Sequence, residues 1–261
     1  ALKNAAAVFT LAALVAVGWL VGSVRASGGG VVFPLATPSS SPISPSPSPP
    51  PSDPGTEAAR QWTVAKARGR VPVYARPQSG GHVERYLPAR TRYGVQTVLL
   101  VDRAREVRGR LWYRVWLPAP PNMSRGWVPA SRVSVYAVDT KIVIELSLRR
   151  LQVVRDDVAL ATFPIAIGRA DLPTPTGTFF VTERLRPRQR TSSYGVLALA
   201  ISAYQPKLYF WDGQGQVAIH GTNQPQLIGQ AVSHGCVRMT NADILRLSRL
   251  VSVGSPVIIV E

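Results

Sequence analysis

Three patterns of apolar and polar positions follow one another along the chain. From Asn4 to Val24, twenty-one positions pass without a charge, enough for a helix to cross a hydrocarbon layer of about 30 Å. From Ser27 to Arg60 large apolar residues thin out and Pro and Ser dominate, as in SSSPISPSPSPPPSDP. Proline fixes φ and donates no backbone hydrogen bond, so this tract reads as an extended spacer rather than part of a core. From Gln61 onward, short apolar runs alternate with Gly, Pro and Arg. In LWYRVWL, Leu111, Tyr113, Val115 and Leu117 point one way and Trp112, Arg114 and Trp116 the other, the period of a strand. KIVIELSLRRLQVV repeats the pattern through Ile142, Ile144 and Leu146 and then Leu151 and Val153, a hairpin; VALATFPIAIG and TGTFFVTE continue it, with the turn-forming LPTPTG between them. The period changes near the end: Asn241 is placed to cap a helix with Ile244, Leu247 and Val251 on one face and Gly254 at its stop, before PVIIV returns to a strand.

These patterns predict a mainly β protein in four parts: residues 1–26 as a membrane anchor or uncleaved signal, 27–60 as a disordered linker, and 61–135 and 136–261 as two β-rich domains. The apolar run exceeds the usual signal-peptide core, which favours a retained single-pass anchor. A signal cut after Val24-Arg25-Ala26 is the competing reading, and either one places the remainder outside the cell membrane. At about 3.1 Å per residue the Pro/Ser tract reaches about 60 Å.

Charge separates the two domains. Residues 61–135 hold fourteen Lys and Arg against three acidic residues, whereas 136–261 hold thirteen against nine, so most of the chain's net +16 lies on the first. The WYRV segment followed by GWVPASRV resembles the bacterial SH3-like domain, which implies a small binding barrel. A basic domain is often a nucleic-acid binder, but an exported one meets anionic wall polymers and lipid head groups instead. Solvated arginine faces with no partner are the alternative. His82, beside Gly80-Gly81, reads as an exposed turn residue.

The segment 217–241, VAIHGTNQPQLIGQAVSHGCVRMTN, holds the only cysteine and two of the three histidines. A free thiol titrates near 8.5, so a nucleophilic Cys236 needs a neighbouring base. His220 ends the apolar VAI, and GTNQPQLIGQAVS can loop back to bring the two together, with Gly221 and Gly235 allowing close approach. Backbone amides around His234 to Cys236 could then form an oxyanion hole. A small buried hydrophobe, a zinc ligand and an intermolecular disulfide stay open on residue chemistry alone.

IHGTNQPQLIG followed by SHGCVRM, with PIAIGRADLPTPTGTFFVTE upstream, resembles the YkuD-type L,D-transpeptidase catalytic domain over residues 136–261. The resemblance implies an acyltransferase acting on peptidoglycan stem peptides. A cysteine would attack the carbonyl of the third stem residue, D-Ala would leave, and the thioester would pass to an amine as a 3-to-3 cross-link. By position, Cys236 is the nucleophile, His220 the base, the Gly221 carbonyl its orienting group, and His234 and Gly235 the oxyanion region. Arg238, Ser233, Thr222 and Tyr204 are the expected substrate contacts, with an ion pair from Arg238 to Asp243 as the structural alternative for that arginine. No metal or organic cofactor is implied. Water as acceptor, giving a carboxypeptidase or endopeptidase, and a catalytically silent wall-binding protein are the alternatives. Arg184, Arg186, Arg188 and Arg190 in RLRPRQR recur every second residue, an edge that either steers anionic stems or blocks strand pairing.

Overall fold

Alternating sequence becomes paired strands over most of the computed structural model, which describes residues 61–261 except 79, 190, 191, 211 and 212. The expected anchor, the Pro/Ser spacer and Arg190 lie outside the described residues. Among those described, no helix is long and apolar enough to cross a membrane.

The first half contributes β1 (Trp62–Ala67), β2 (Val71–Val73), β3 (Arg85–Leu87), β4 (Val98–Val107), β5 (Arg110–Trp116), β6 (Arg125–Pro129) and β7 (Val133–Val138). Five of these form an antiparallel sheet in the order β6-β5-β4-β1-β7, and β2 pairs with β3 beside it. The period-2 reading of LWYRVWL holds, but both faces of β5 are covered. Val115 and Leu117 pack with Leu99, Val128 and Val133. On the other face Trp116 joins Val64, Val98, Leu100 and Val138 around Phe180 of the second half. Phe180 has no solvent exposure, and burying one such ring contributes about 2–3 kcal/mol. The seam is tied again where Tyr136 Oη donates to Val253 O at 2.7 Å. Gly254 beside it, at φ +95°, has no room for a side chain, since a Cβ would lie 2.6 Å from Val64 Cγ1.

The second half adds β8 (Lys141–Glu145), β9 (Arg150–Arg155), β10 (Val158–Pro164), β11 (Ile167–Gly168), β12 (Gly177–Leu185), β13 (Ala198–Tyr204), β14 (Gln216–His220), β15 (Ala231–Ser233), β16 (Val237–Arg238), α1 (Asn241–Leu250) and β17 (Pro256–Val260). The predicted hairpin is β8–β9, with Ile142 opposite Val153 and Ile144 opposite Leu151. The large sheet runs β10-β9-β8-β17-β12-β13-β14-β16. Its last strand in sequence, β17, sits between β8 and β12, parallel to the first and antiparallel to the second.

Helix α1 buries Ile244 and Leu247 as the pattern predicts, but its cap is Thr240 rather than Asn241. Thr240 Oγ1 accepts from Asp243 N at 3.1 Å and donates to Asp243 Oδ2 at 2.7 Å, so the hydroxyl one residue earlier satisfies the helix end. At the other end, Arg184 Nη2 donates to Ser248 O and Val251 O at 2.6 and 3.0 Å. One of the four regularly spaced arginines is therefore a helix cap, where a cation meets the negative end of the dipole. Arg186 and Arg188 beyond it are exposed.

Candidate active site

Parallel pairing explains why the cysteine and the histidine reach one cavity. β14 and β16 run parallel, with His220 opposite Arg238, and parallel neighbours require a crossover rather than a hairpin. Residues 221–236 supply it and deliver Cys236 beside β14, where Ala218 N donates to its Sγ at 3.4 Å. Ala218 and His220 are two residues apart, so their side chains share one face of the strand. Cys236 and His220 open onto one cavity of about 350 Å³, together with Tyr194, Ser233, His234 and Arg238.

The turn that presents the thiol is braced by one hydroxyl. Ser233 Oγ donates to Cys236 O at 2.5 Å and accepts from Gly235 N at 3.1 Å. Gly235 adopts φ +110°, a backbone region costly for any residue with a Cβ. Its amide is thus committed to Ser233 and does not point at a substrate, which corrects the expectation that it donates to an oxyanion. Gly235 makes the turn possible instead.

A backbone carbonyl orients His220. Its Nδ1 lies 2.5 Å from Gly221 O; a carbonyl only accepts, so Nδ1 carries the hydrogen and Nε2 keeps its lone pair. Burial lowers the His220 pKa to about 4, with the nearby Arg238 charge lowering it further and the Gly221 carbonyl opposing. Burial also pushes the Cys236 thiol up, against the Ala218 amide and Arg238, which favour thiolate. The resting pair at neutral pH is a thiol and a neutral imidazole. Tyr194 packs its ring 4.7 Å from that of His220.

His234 is held differently. Its Nε2 lies 2.9 Å from Arg169 Nη1, and arginine only donates, so Nε2 is the acceptor and the ring is neutral. Burial, then Arg169 and Arg238, lower its pKa, and Asp171 opposes them. Arg169 is itself fixed by Asp171 Oδ1 at 2.7 Å. Arg238 makes no ion pair with Asp243, which is engaged with Thr240. The Arg238 Nε is buried without a partner among the described residues, and its side chain lines the cavity.

Two expected contacts lie elsewhere. Thr222 is buried, with Oγ1 accepting from Gln224 N at 3.0 Å, and it shapes the crossover. The Tyr204 hydroxyl donates to Pro118 O at 2.9 Å and belongs to the seam with the first half. Sequence reasoning gave Asn241 only a capping role, whereas its Oδ1 accepts from both Val196 N and Thr222 N at 3.2 Å. A Cβ at Gly195 or Gly221 would collide with that oxygen. The signals were Gly195 and Gly221 themselves, the first in a turn at φ +64° and the second beside His220. Among the described residues, no three His, Cys, Asp or Glu side chains converge as a metal ion requires.

Comparison with known proteins finds relatives of this sequence. The family model for the YkuD L,D-transpeptidase catalytic domain matches residues 139–259. The YkuD protein of Bacillus subtilis (strain 168) is 30% identical over 149 residues, covering 55% of this chain and 83% of that protein. Its counterpart in Bacillus licheniformis is 32% identical over 148 residues, covering 54% and 82%. A solved L,D-transpeptidase from Mycobacterium tuberculosis H37Rv aligns at 19% identity over 62% of this chain and 98% of its own, with a TM-score of 0.40.

Proposed function

The chain belongs to the YkuD-type L,D-transpeptidase family, and from that premise we propose that it forms 3-to-3 peptidoglycan cross-links through a thioester on Cys236. The observation that carries this reading is the placement of Cys236 Sγ on the Ala218 amide, in one cavity with a histidine whose Nε2 lone pair is free to accept.

The chemistry follows from the two neutral groups. As Sγ attacks the carbonyl carbon of the third stem residue, the thiol proton passes to His220 Nε2 and the carbonyl becomes an oxyanion. Collapse breaks the bond to D-Ala, whose leaving nitrogen takes the proton from His220, and a thioester remains. An amine from a neighbouring stem then attacks, His220 removes its proton, and Cys236 is released as thiol on formation of the new amide. Neither step needs a standing thiolate, which suits a thiol that burial keeps protonated. Arg238 offers its guanidinium to a substrate carboxylate, and His234, fixed by Arg169, holds the wall of the cavity.

The first sheet acts in this reading as an SH3-like module that attracts anionic wall polymers, supported by its excess of arginine, and residues 1–26 anchor the enzyme outside the cell membrane. Attraction by exposed charge is screened over about 8 Å at physiological ionic strength, so binding to isolated sacculi should weaken as salt rises. The catalytic test is intact-protein mass spectrometry with disaccharide tetrapeptide. The wild type should gain the acyl mass with loss of D-Ala and yield a dimer. Cys236→Ala should gain none, His220→Ala almost none, and His234→Ala should acylate slowly. Full activity of Cys236→Ala would sink the mechanism, and tripeptide in place of dimer would make water the acceptor.

A further inference from the structure

A second concavity lies against the cysteine cavity, on the other side of one short stretch of chain. Leu208 and Gly215 line the cysteine cavity, while their sequence neighbours Tyr209 and Gln214 line a groove of about 590 Å³. Three prolines, Pro120 and Pro121 from the first half and Pro206 from the second, build its walls. Tyr209 is 72% exposed and meets Phe210, 69% exposed, edge to face at 5.7 Å. Two large aromatic rings left in water beside a concave site mark a surface that something covers.

We propose that this groove holds the neutral sugar chain from which the stem peptide hangs. Three observations converge on that occupant. None of its described lining residues is charged, in a chain of net +16; of its amide side chains, Asn122 is bonded to the Tyr204 backbone and Gln205 to Pro173 O and Lys207 N, which leaves Gln214 to face an occupant. An anionic partner would find its complement elsewhere on this protein; an uncharged polyhydroxylated one finds it here. Tyrosine and proline rings present flat apolar faces that match the C–H faces of pyranose rings, and the Gln214 amide matches hydroxyl and acetamido groups. The two sites are also neighbours, since adjacent residues of this chain line them, and a stem whose third residue is at Cys236 attaches to its sugar within about 10 Å, the reach of three extended residues. The inference rests on the reading of Cys236 as the stem-peptide nucleophile, and it gives the first half a second role, because its Pro120–Asn122 loop supplies one wall.

The test uses the full chain and two probes. The first is the β-1,4-linked tetramer of N-acetylglucosamine, bound to the Cys236→Ala protein and followed by saturation-transfer NMR. Binding is expected, and adding Tyr209→Ser should weaken it about tenfold, the worth of one aromatic contact. The second compares kcat/KM for acylation of Cys236 by disaccharide tetrapeptide and by the sugar-free tetrapeptide. The sugar-bearing substrate should be preferred, and Tyr209→Ser should abolish the preference by slowing only that substrate. Undiminished tetramer binding by the Tyr209→Ser protein overturns the proposal, as does an equal loss on both substrates, which would make the groove a peptide site. If neither substrate acylates the wild type, the reading of Cys236 fails, and the tetramer experiment still decides the groove.

Discussion

Asn122 and Tyr204 exchange two hydrogen bonds of 2.8 Å, the side-chain Nδ2 donating to Tyr204 O and Tyr204 N donating to Oδ1. The amide side chain thereby does for Tyr204 what a neighbouring strand's backbone does elsewhere, at the point where the register of β13 against β14 shifts between Ala200 and Tyr204. Removing it leaves a half-buried donor and acceptor unmet. Asn122→Ala should lower unfolding free energy by about 1–3 kcal/mol, read as a lower urea midpoint at unchanged slope. A midpoint equal to wild type would mean that water replaces the side chain at no cost.

The local part of this architecture was legible and the long-range part was not. Ile142, Ile144, Leu151 and Val153 announce their hairpin because period 2 and a short turn are local properties. Cys236 and His220 stood out because residues rare in this chain cluster in one segment. Nothing local says that β17 inserts between β8 and β12, since those partners lie 115 and about 80 residues before it. Asn241 is a good capping residue by type, yet Thr240 precedes it and takes the cap, freeing the amide for Val196 and Thr222. Arg184 looks like part of an exposed stripe because its acceptors, Ser248 and Val251, lie more than sixty residues away. The commitment of the Gly235 amide to Ser233 could not be read either, because the motif names residue types and not hydrogen-bond directions.

The bridging oxygen of Asn241 gives a second expectation. Asn241→Ala leaves the amides of Val196 and Thr222 without their acceptor beside the cavity, at a cost of about 2–4 kcal/mol. Asn241→Asp keeps an oxygen in place and adds a negative charge at the helix N-terminus, where the dipole favours it. Urea midpoints should therefore rank wild type, then Asp, then Ala. Equal losses for the two variants would show that the amide nitrogen, not Oδ1, matters.

Ser233 tests whether the turn that carries Cys236 must be preorganised. Ser233→Ala removes the bonds to Cys236 O and Gly235 N together and lets the φ +110° turn relax. Acylation should slow about 10- to 100-fold, the kinetic equivalent of one or two hydrogen bonds. Stopped single-turnover mass spectra at a temperature where the variant is folded would read it. A wild-type rate there would mean that Gly235 and the strand ends alone hold Cys236.

The buried His220 separates acid stability from acid activity. Its pKa of about 4 lies below its ordinary value of 6.5, so between those limits the unfolded chain binds a proton that the folded chain does not. Stability must then fall as pH falls through that window, by about 2 kcal/mol between pH 7 and pH 5 from this group alone. His220→Gln removes the group and should flatten that share of the slope in urea titrations at the two pH values. Activity runs the other way: the imidazole accepts a proton only while neutral, and it stays neutral down to about pH 4. The acid limb of single-turnover acylation should therefore fall near pH 4 rather than near 6.5, leaving the enzyme active at pH 5 although less stable. An acid limb near 6.5 would show that the imidazole titrates as if in water, and the reading of His220 as a buried neutral base would be wrong.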